Sequence, residues 1–183
     1  VEDGPPPVFN SGPSGDHTTG NDQYILTQSI FAGGLNAVTS TSAQSPAIDL
    51  GNLTVPELRF WYHMIGIGID SMAVRIDNGS GFSHLWSISG QQQNARTDPW
   101  KEAIVSLAAY ANDTIRLQFI GYRNNTFTAQ APVSIDDLRI DEQPTCPQPS
   151  NLNIASTSAN SITIGWTTGG ATDWQIEYGA PGF

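Results

Sequence analysis

The sequence predicts an all-β protein: a jelly-roll β-sandwich of two antiparallel sheets, followed by a truncated strand segment of a second sandwich. Three observations predict it. Apolar and polar residues alternate over short runs, the period of a half-buried strand. Clusters of Gly, Asn, Asp, Pro and Ser separate those runs at the spacing a sandwich needs. No apolar helical period exceeds two turns, and the strands that do appear suit two sheets packed face to face.

Residues 1–22 are rich in Gly, Pro, Asp and Ser and read as loop. Tyr24-Ile25-Leu26 is a short strand, and the small polar residues 32–46 read again as loop. Leu58 to Ile65 is a strand with large side chains on both faces: Leu58, Phe60, Tyr62 and Met64 on one, Arg59, Trp61, His63 and Ile65 on the other. A strand of that kind is expected at the centre of its sheet with both sides covered. Met72, Val74 and Ile76 alternate with Ala73, Arg75 and Asp77. Asp77-Asn78-Gly79-Ser80-Gly81 then turns the chain into a return strand, Leu85-Trp86-Ser87-Ile88. Further alternation runs through Ala103, Val105 and Leu107, then Ile115, Leu117 and Phe119, then Val133 to Ile140. One helical turn at most is expected, at residues 99–102 or 106–110.

Past Ile140 the composition changes. Residues 142–150 form a Pro/Gln/Cys linker, dividing a domain over 1–141 from a partial domain over 151–183. In the latter, Leu152, Ile154, Ile162, Ile164, Trp166, Trp174, Ile176 and Tyr178 form a second alternating series. The runs 152–154, 161–166 and 174–178 are similar to the first three strands of a fibronectin type III domain. That fold needs about 100 residues and seven strands, so the second domain is expected to be incomplete.

Only 13% of the 183 residues are charged and the net charge is −10, with Lys101 the single lysine beside six arginines. No basic stripe exists to neutralise phosphates, which argues against nucleic acid and anionic membranes. No apolar run reaches membrane-spanning length, so no membrane insertion is expected. The acidity either keeps the protein soluble or serves divalent cations. Cys146 is the only cysteine, so no disulfide forms within this chain.

Six short words, in order, resemble the MAM domain: Glu2-Asp3-Gly4, Gly12-Pro13-Ser14-Gly15-Asp16-His17-Thr18, Phe60-Trp61-Tyr62-His63-Met64, Leu85-Trp86-Ser87-Ile88-Ser89-Gly90, Trp100-Lys101-Glu102-Ala103 and Ile135-Asp136-Asp137-Leu138. The resemblance spans residues 1–141. It implies an extracellular jelly-roll module used for adhesion and recognition, secreted or at a cell surface, and without catalysis. Residues 1–141 lack the cysteines of animal members. Together with the fibronectin-like series, that resembles part of a large secreted bacterial protein, in which such modules accompany polysaccharide hydrolases or peptidases. The expected role is a carbohydrate-binding accessory module, with a protein-binding adhesion module or a structural spacer as alternatives; the expected partners are a polysaccharide or an extracellular protein, and the other domains of the parent protein.

Two sets of residues are candidate sites. On the last strand, Asp136 has the parity of Leu138 and Ile140, which read as the core face. A β-bulge at the double Asp would turn Ile135 and Leu138 both inward. Either way one carboxylate is aimed at the sheet interior, where it needs a cation or several donors. Pairing with Arg59, Arg75 or Arg116 is one reading. The other, which the resemblance favours, is a structural calcium held by Glu2, Asp16, Asp136 and Asp137 with backbone carbonyls. The second set is a glycan or peptide groove. Arg59, Trp61 and His63 share one strand face, and Arg75, Arg116 and Gln118 have the corresponding polar parity elsewhere. Trp61, Trp86 and Trp100 either stack on sugar rings or fill the core, and Arg59 and Arg116 either line the groove or bridge acidic neighbours.

No catalytic residue is expected. His17, His63 and His84 are far apart without ligand spacing, and no Gly-x-Ser-x-Gly elbow is present. Asp136 and Asp137 are adjacent on a strand, so their side chains diverge, unlike a glycosidase pair.

Overall fold

In a computed structural model the chain divides into two compact units, Val1–Glu142 and Gln143–Phe183. The structure describes residues 2–3, 12–28, 40–124, 131–144, 149–168 and 174–175. The first unit is a sandwich of two antiparallel sheets. One sheet has the order β1-β2-β10-β5-β8: Glu2–Asp3, Gln23–Gln28, Pro132–Glu142, Pro56–His63 and Lys101–Ser106. The other has the order β3-β9-β6-β7: Ser40–Gln44, Thr114–Arg123, Ile69–Asp77 and Ser83–Ser89, with β4 (Ile48–Asp49) pairing on β9. A single 3₁₀ turn, Ala108–Tyr110, is described. It fits the one helical turn the sequence allows.

Period-two alternation builds the core. Leu58, Phe60 and Tyr62 of β5, with Met64 just past its end, meet Met72, Val74 and Ile76 of β6 and Leu117 and Phe119 of β9, all buried. Burying each such side chain stabilises the fold by about 1.5–3 kcal/mol. The Phe60 ring lies edge-on to Phe119 at 5.3 Å and to Trp86 at 5.4 Å, so Trp86 serves the interior. The sheets approach closely at Gly121, where a Cβ would meet the Thr27 hydroxyl oxygen at 2.5 Å.

Two expectations are corrected. The expected loop over 32–46 contains β3, which pairs with β9 from Ser40↔Tyr122 to Gln44↔Gln118. Its small polar side chains give no alternation signal because backbone hydrogen bonds, rather than burial, hold this edge strand. The second correction concerns β10. The bulge is present between Asp136 and Arg139, and Asp137 takes a φ of 45°. Yet Leu138 is 37% exposed, while Val133 and Ile135 before the bulge are buried and Ile140 after it packs against the core. Asp136 pairs with Trp61 on the outer face and the bulge carries Asp137 there too, so neither of these two carboxylates enters the sandwich interior.

In the second unit β11 (Ser150–Thr157) and β12 (Ile162–Thr167) form an antiparallel hairpin. Leu152, Ile154 and Ile162 are more than half exposed, and the Trp166 and Trp174 rings lie 5.8 Å apart. The expected third strand falls outside the described residues beyond Gln175, as does Cys146.

Candidate functional site

The outer face of the β5 sheet gathers most of the chemistry. The ladders place Glu102, Trp61 and Asp136 in one row across β8, β5 and β10, and Ile104, Arg59 and Arg139 in the next. A loop, residues 12–22, lies over the first row. Its shape comes from its glycines and Asp16. A Cβ on Gly15 would sit 2.1 Å from the Gly20 carbonyl oxygen, so only glycine permits this closure. Asp16 fills the loop centre, accepting hydrogen bonds from the backbone N–H of Thr18, Thr19 and Asp22 and from the Thr19 hydroxyl. Burial pushes its carboxyl up, but these donors outweigh burial and hold it below the ordinary value.

The loop then clasps the bulge. The His17 N–H donates to Asp136 Oδ2 at 2.8 Å, and His17 Nδ1 lies 2.6 Å from Asp137 Oδ2, which the Thr18 hydroxyl also contacts. This clasp stacks the His17 ring on Trp61, with centroids 3.9 Å apart and planes 14° from parallel. Arg96 ties the loop down from the other side, donating to the carbonyls of Gly12 and Pro13. Gln93, 2% exposed, closes the end of β5 by accepting from the Met64 N–H and donating to the Tyr62 carbonyl.

His63 is fully buried under this cover, with Trp100 edge-on at 5.7 Å. Its ring nitrogens, and the hydroxyl of the facing Ser134, make no hydrogen bond of regular geometry among the described residues, although the backbone of Ala95 and Asp98 lies close enough to favour the charged ring. Burial lowers its pKa to about 4, with Asp98 opposing the shift, so it is neutral at pH 7. It therefore supports the face from below and does not line it.

What remains open is a surface cavity of about 380 Å³ lined by Trp61, Glu102, Asp137, Leu138 and Arg139. Arg59 sits at its edge, held by Glu57 at 2.7 Å and Glu102 at 3.2 Å. A second cavity of about 290 Å³, between β2 and β10, shares Asp137 and Leu138, so the bulge forms the ridge between the two.

The other expected groove residues are elsewhere. Arg75, Arg116 and Gln118 lie on β6 and β9, on the outer face of the opposite sheet. Parity gives which side of its own sheet a residue takes, but not which sheet carries it. The sequence reading also missed His17, Glu102, Leu138 and Arg139 as site residues. The order of strands, with β5 between β8 and β10, is what brings the last three to Trp61.

The expected calcium ligands meet only in part. Asp16, Asp136 and Asp137 are neighbours: burial raises the Asp136 carboxyl, the His17 and Asp137 N–H groups oppose that, and the charges of Asp137 and Asp16 add to it. Glu2 pairs with Tyr24 through the backbone, and its side chain lies outside the described residues. Among the described residues no group of three or more His, Cys, Asp or Glu is disposed to hold a metal ion. The described carboxylates thus do not form a calcium cage by themselves.

The architecture defines a β-sandwich module. The model of the family "MAM domain, meprin/A5/mu" matches residues 6–147, and the chain belongs to that family. It is 33% identical over 103 residues to Neuropilin-1a of Danio rerio, a match covering 54% of this chain and 10% of that protein. The chain thus spans about a tenth of that curated relative. Among solved structures, a cleaved adhesin domain of Lys-gingipain from Porphyromonas gingivalis is 19% identical, covering 72% of this chain and 82% of that one, with a TM-score of 0.48. A chain described as "CBM4 structure and function" is 16% identical over 73% of this chain and 91% of that one, with a TM-score of 0.39.

Proposed function

We propose that the first unit is a non-catalytic extracellular recognition module that binds polysaccharide through the Trp61 cavity, as an accessory domain of a larger secreted protein. The observation that carries this reading is the cavity itself. Trp61 supplies the part of its indole that the stacked His17 ring leaves uncovered, and Glu102, Asp137 and Arg139 surround it with charged hydrogen-bonding groups. Aromatic surface ringed by polar groups is the chemistry that holds a sugar ring. The family's role in adhesion supports the extracellular setting. In the second unit, the β11–β12 hairpin supports the start of a fibronectin type III-like domain.

A glycan array probed with the whole chain tests the reading. At least one polysaccharide is expected to bind, and Trp61→Ala is expected to weaken that binding tenfold or more while the far-UV spectrum stays that of a β-protein. Binding undiminished in that variant would remove the cavity from the proposal. Hydrolysis of a bound glycan that survives repurification would remove the non-catalytic part.

A protein partner is the second reading. It is favoured by Ile104, 49% exposed beside Arg59 on β8, the edge strand of its sheet.

A structural calcium completes the proposal. The surplus negative charge at Asp16, Asp136 and Asp137 supports it, and it requires Glu2 and further oxygens besides. Chelator is then expected to lower the melting temperature of the wild type, and Asp136→Ala to erase the difference. Identical melting with and without chelator in the wild type would rule the ion out.

A further inference from the structure

The charge and hydrogen-bonding inventory of the Trp61 cavity restricts the class of polymer it takes, an inference that rests on the glycan-binding reading above. On β5, β8 and β10 this face carries five carboxylates, Glu57, Glu102, Asp136, Asp137 and Asp141, against two guanidiniums, Arg59 and Arg139. Arg59 is already satisfied by Glu57 and Glu102. Arg139 is shared with Asp141 at 3.4 Å, with both side chains 60% exposed. Lys101, at the rim, is held on Gln92. The carboxylates of this face thus outnumber its guanidiniums five to two, and each guanidinium already faces a carboxylate, so the balance of charge disfavours an anionic ligand. Glu102 Oε2 and Asp137 Oδ1, in the cavity wall, take no hydrogen bond among the described residues and stand as free acceptors. A carboxylate oxygen can only accept, so the ligand must donate. Sugar hydroxyls donate, and the C–H face of a pyranose covers Trp61 and Leu138. Uronate or sulfate groups would bring further acceptors and like charge against the same oxygens.

We propose that the cavity selects uncharged, hydroxyl-rich polysaccharides and rejects polyuronates and sulfated glycans. Affinity electrophoresis of the whole chain tests this, with hydroxyethyl cellulose, mixed-linkage glucan and galactomannan as neutral polymers and polygalacturonate, alginate and heparin as acidic ones. Retardation is expected in at least one neutral polymer and in no acidic one. Glu102→Gln and Asp137→Asn, which keep the shape and remove the charge, are each expected to weaken neutral binding about tenfold. The double variant should admit an acidic polymer that the wild type refuses. Retardation of the wild type by an acidic polymer, lost in Trp61→Ala, would overturn the selectivity and leave glycan binding intact. Retardation by none of the six would overturn both. If Trp61→Ala fails to fold, Arg139→Ala on the exposed rim serves in its place, and loss of acidic-polymer retardation in that variant would overturn the selectivity equally.

Discussion

The two sheets of the sandwich turn very different outer faces to their surroundings, although the same alternation builds both. On the β5 face, His17 stacks on Trp61 and Trp100 lies edge-on to His17 and His63, in two loops pinned by Asp16, Arg96 and Gln93. On the β6–β9 face, the outward residues Arg75, Gln118 and His84 make isolated contacts, to the Phe82 carbonyl, Ser42 and Ser87. None of the ring contacts among the described residues lies there. A strand's outward positions become a site only when a neighbouring segment holds them in one geometry. The difference lies in the covering loops.

The largest expected effect comes from His63. Its pKa is about 6.5 unfolded and about 4 folded, so the neutral form is the one the fold accepts. Stability from this group is therefore complete above pH 6.5 and is lost as pH falls toward about 4, a change of about 3 kcal/mol. Urea unfolding between pH 7 and 5 follows it, and comparison with a His63 variant separates it from the raised carboxyl of Asp136. His63→Phe should flatten the slope there. A slope that persists in this variant would mean that His63 is not the titrating group.

A smaller effect is expected at the loop. Asp16→Ala removes the acceptor for three backbone N–H groups and a hydroxyl, and should lower stability by about 1–2 kcal/mol, since water can replace part of what is lost. It should also free His17 from Trp61, visible as a change in tryptophan fluorescence. Full stability with unchanged fluorescence would show that the clasp does not depend on Asp16. The smallest effect belongs to the opposite face. Arg116→Ala should shift stability by less than about 0.5 kcal/mol and leave glycan binding unaltered. A substantial loss of binding in that variant would reverse the comparison.

Much of the fold is legible in the sequence, and the reasons for the failures are physical. The core of β5, β6 and β9 follows from alternation, because burial on one face is what alternation records. The bulge at Asp136-Asp137 is legible as a parity conflict, though not the outcome that Leu138 stays outside. The polar edge strand Ser40–Gln44 leaves no pattern, since its backbone alone does the pairing. His63 shares parity with Trp61, yet only Trp61 borders the cavity. Loops 12–22 and 91–100 decide that, and their path depends on contacts such as Arg96 to Gly12 that no local pattern encodes.

On the proposed function, ligand meets the β5 face and not its counterpart. Amide and indole chemical-shift mapping with a bound neutral oligosaccharide tests it most directly. The largest shifts are expected at the Trp61 indole N–H and at the amides of Glu102 and of residues 137–139, with Arg75, Arg116 and Gln118 unmoved. Shifts concentrated on Arg75, Arg116 and Gln118, with the Trp61 indole unchanged, would contradict it.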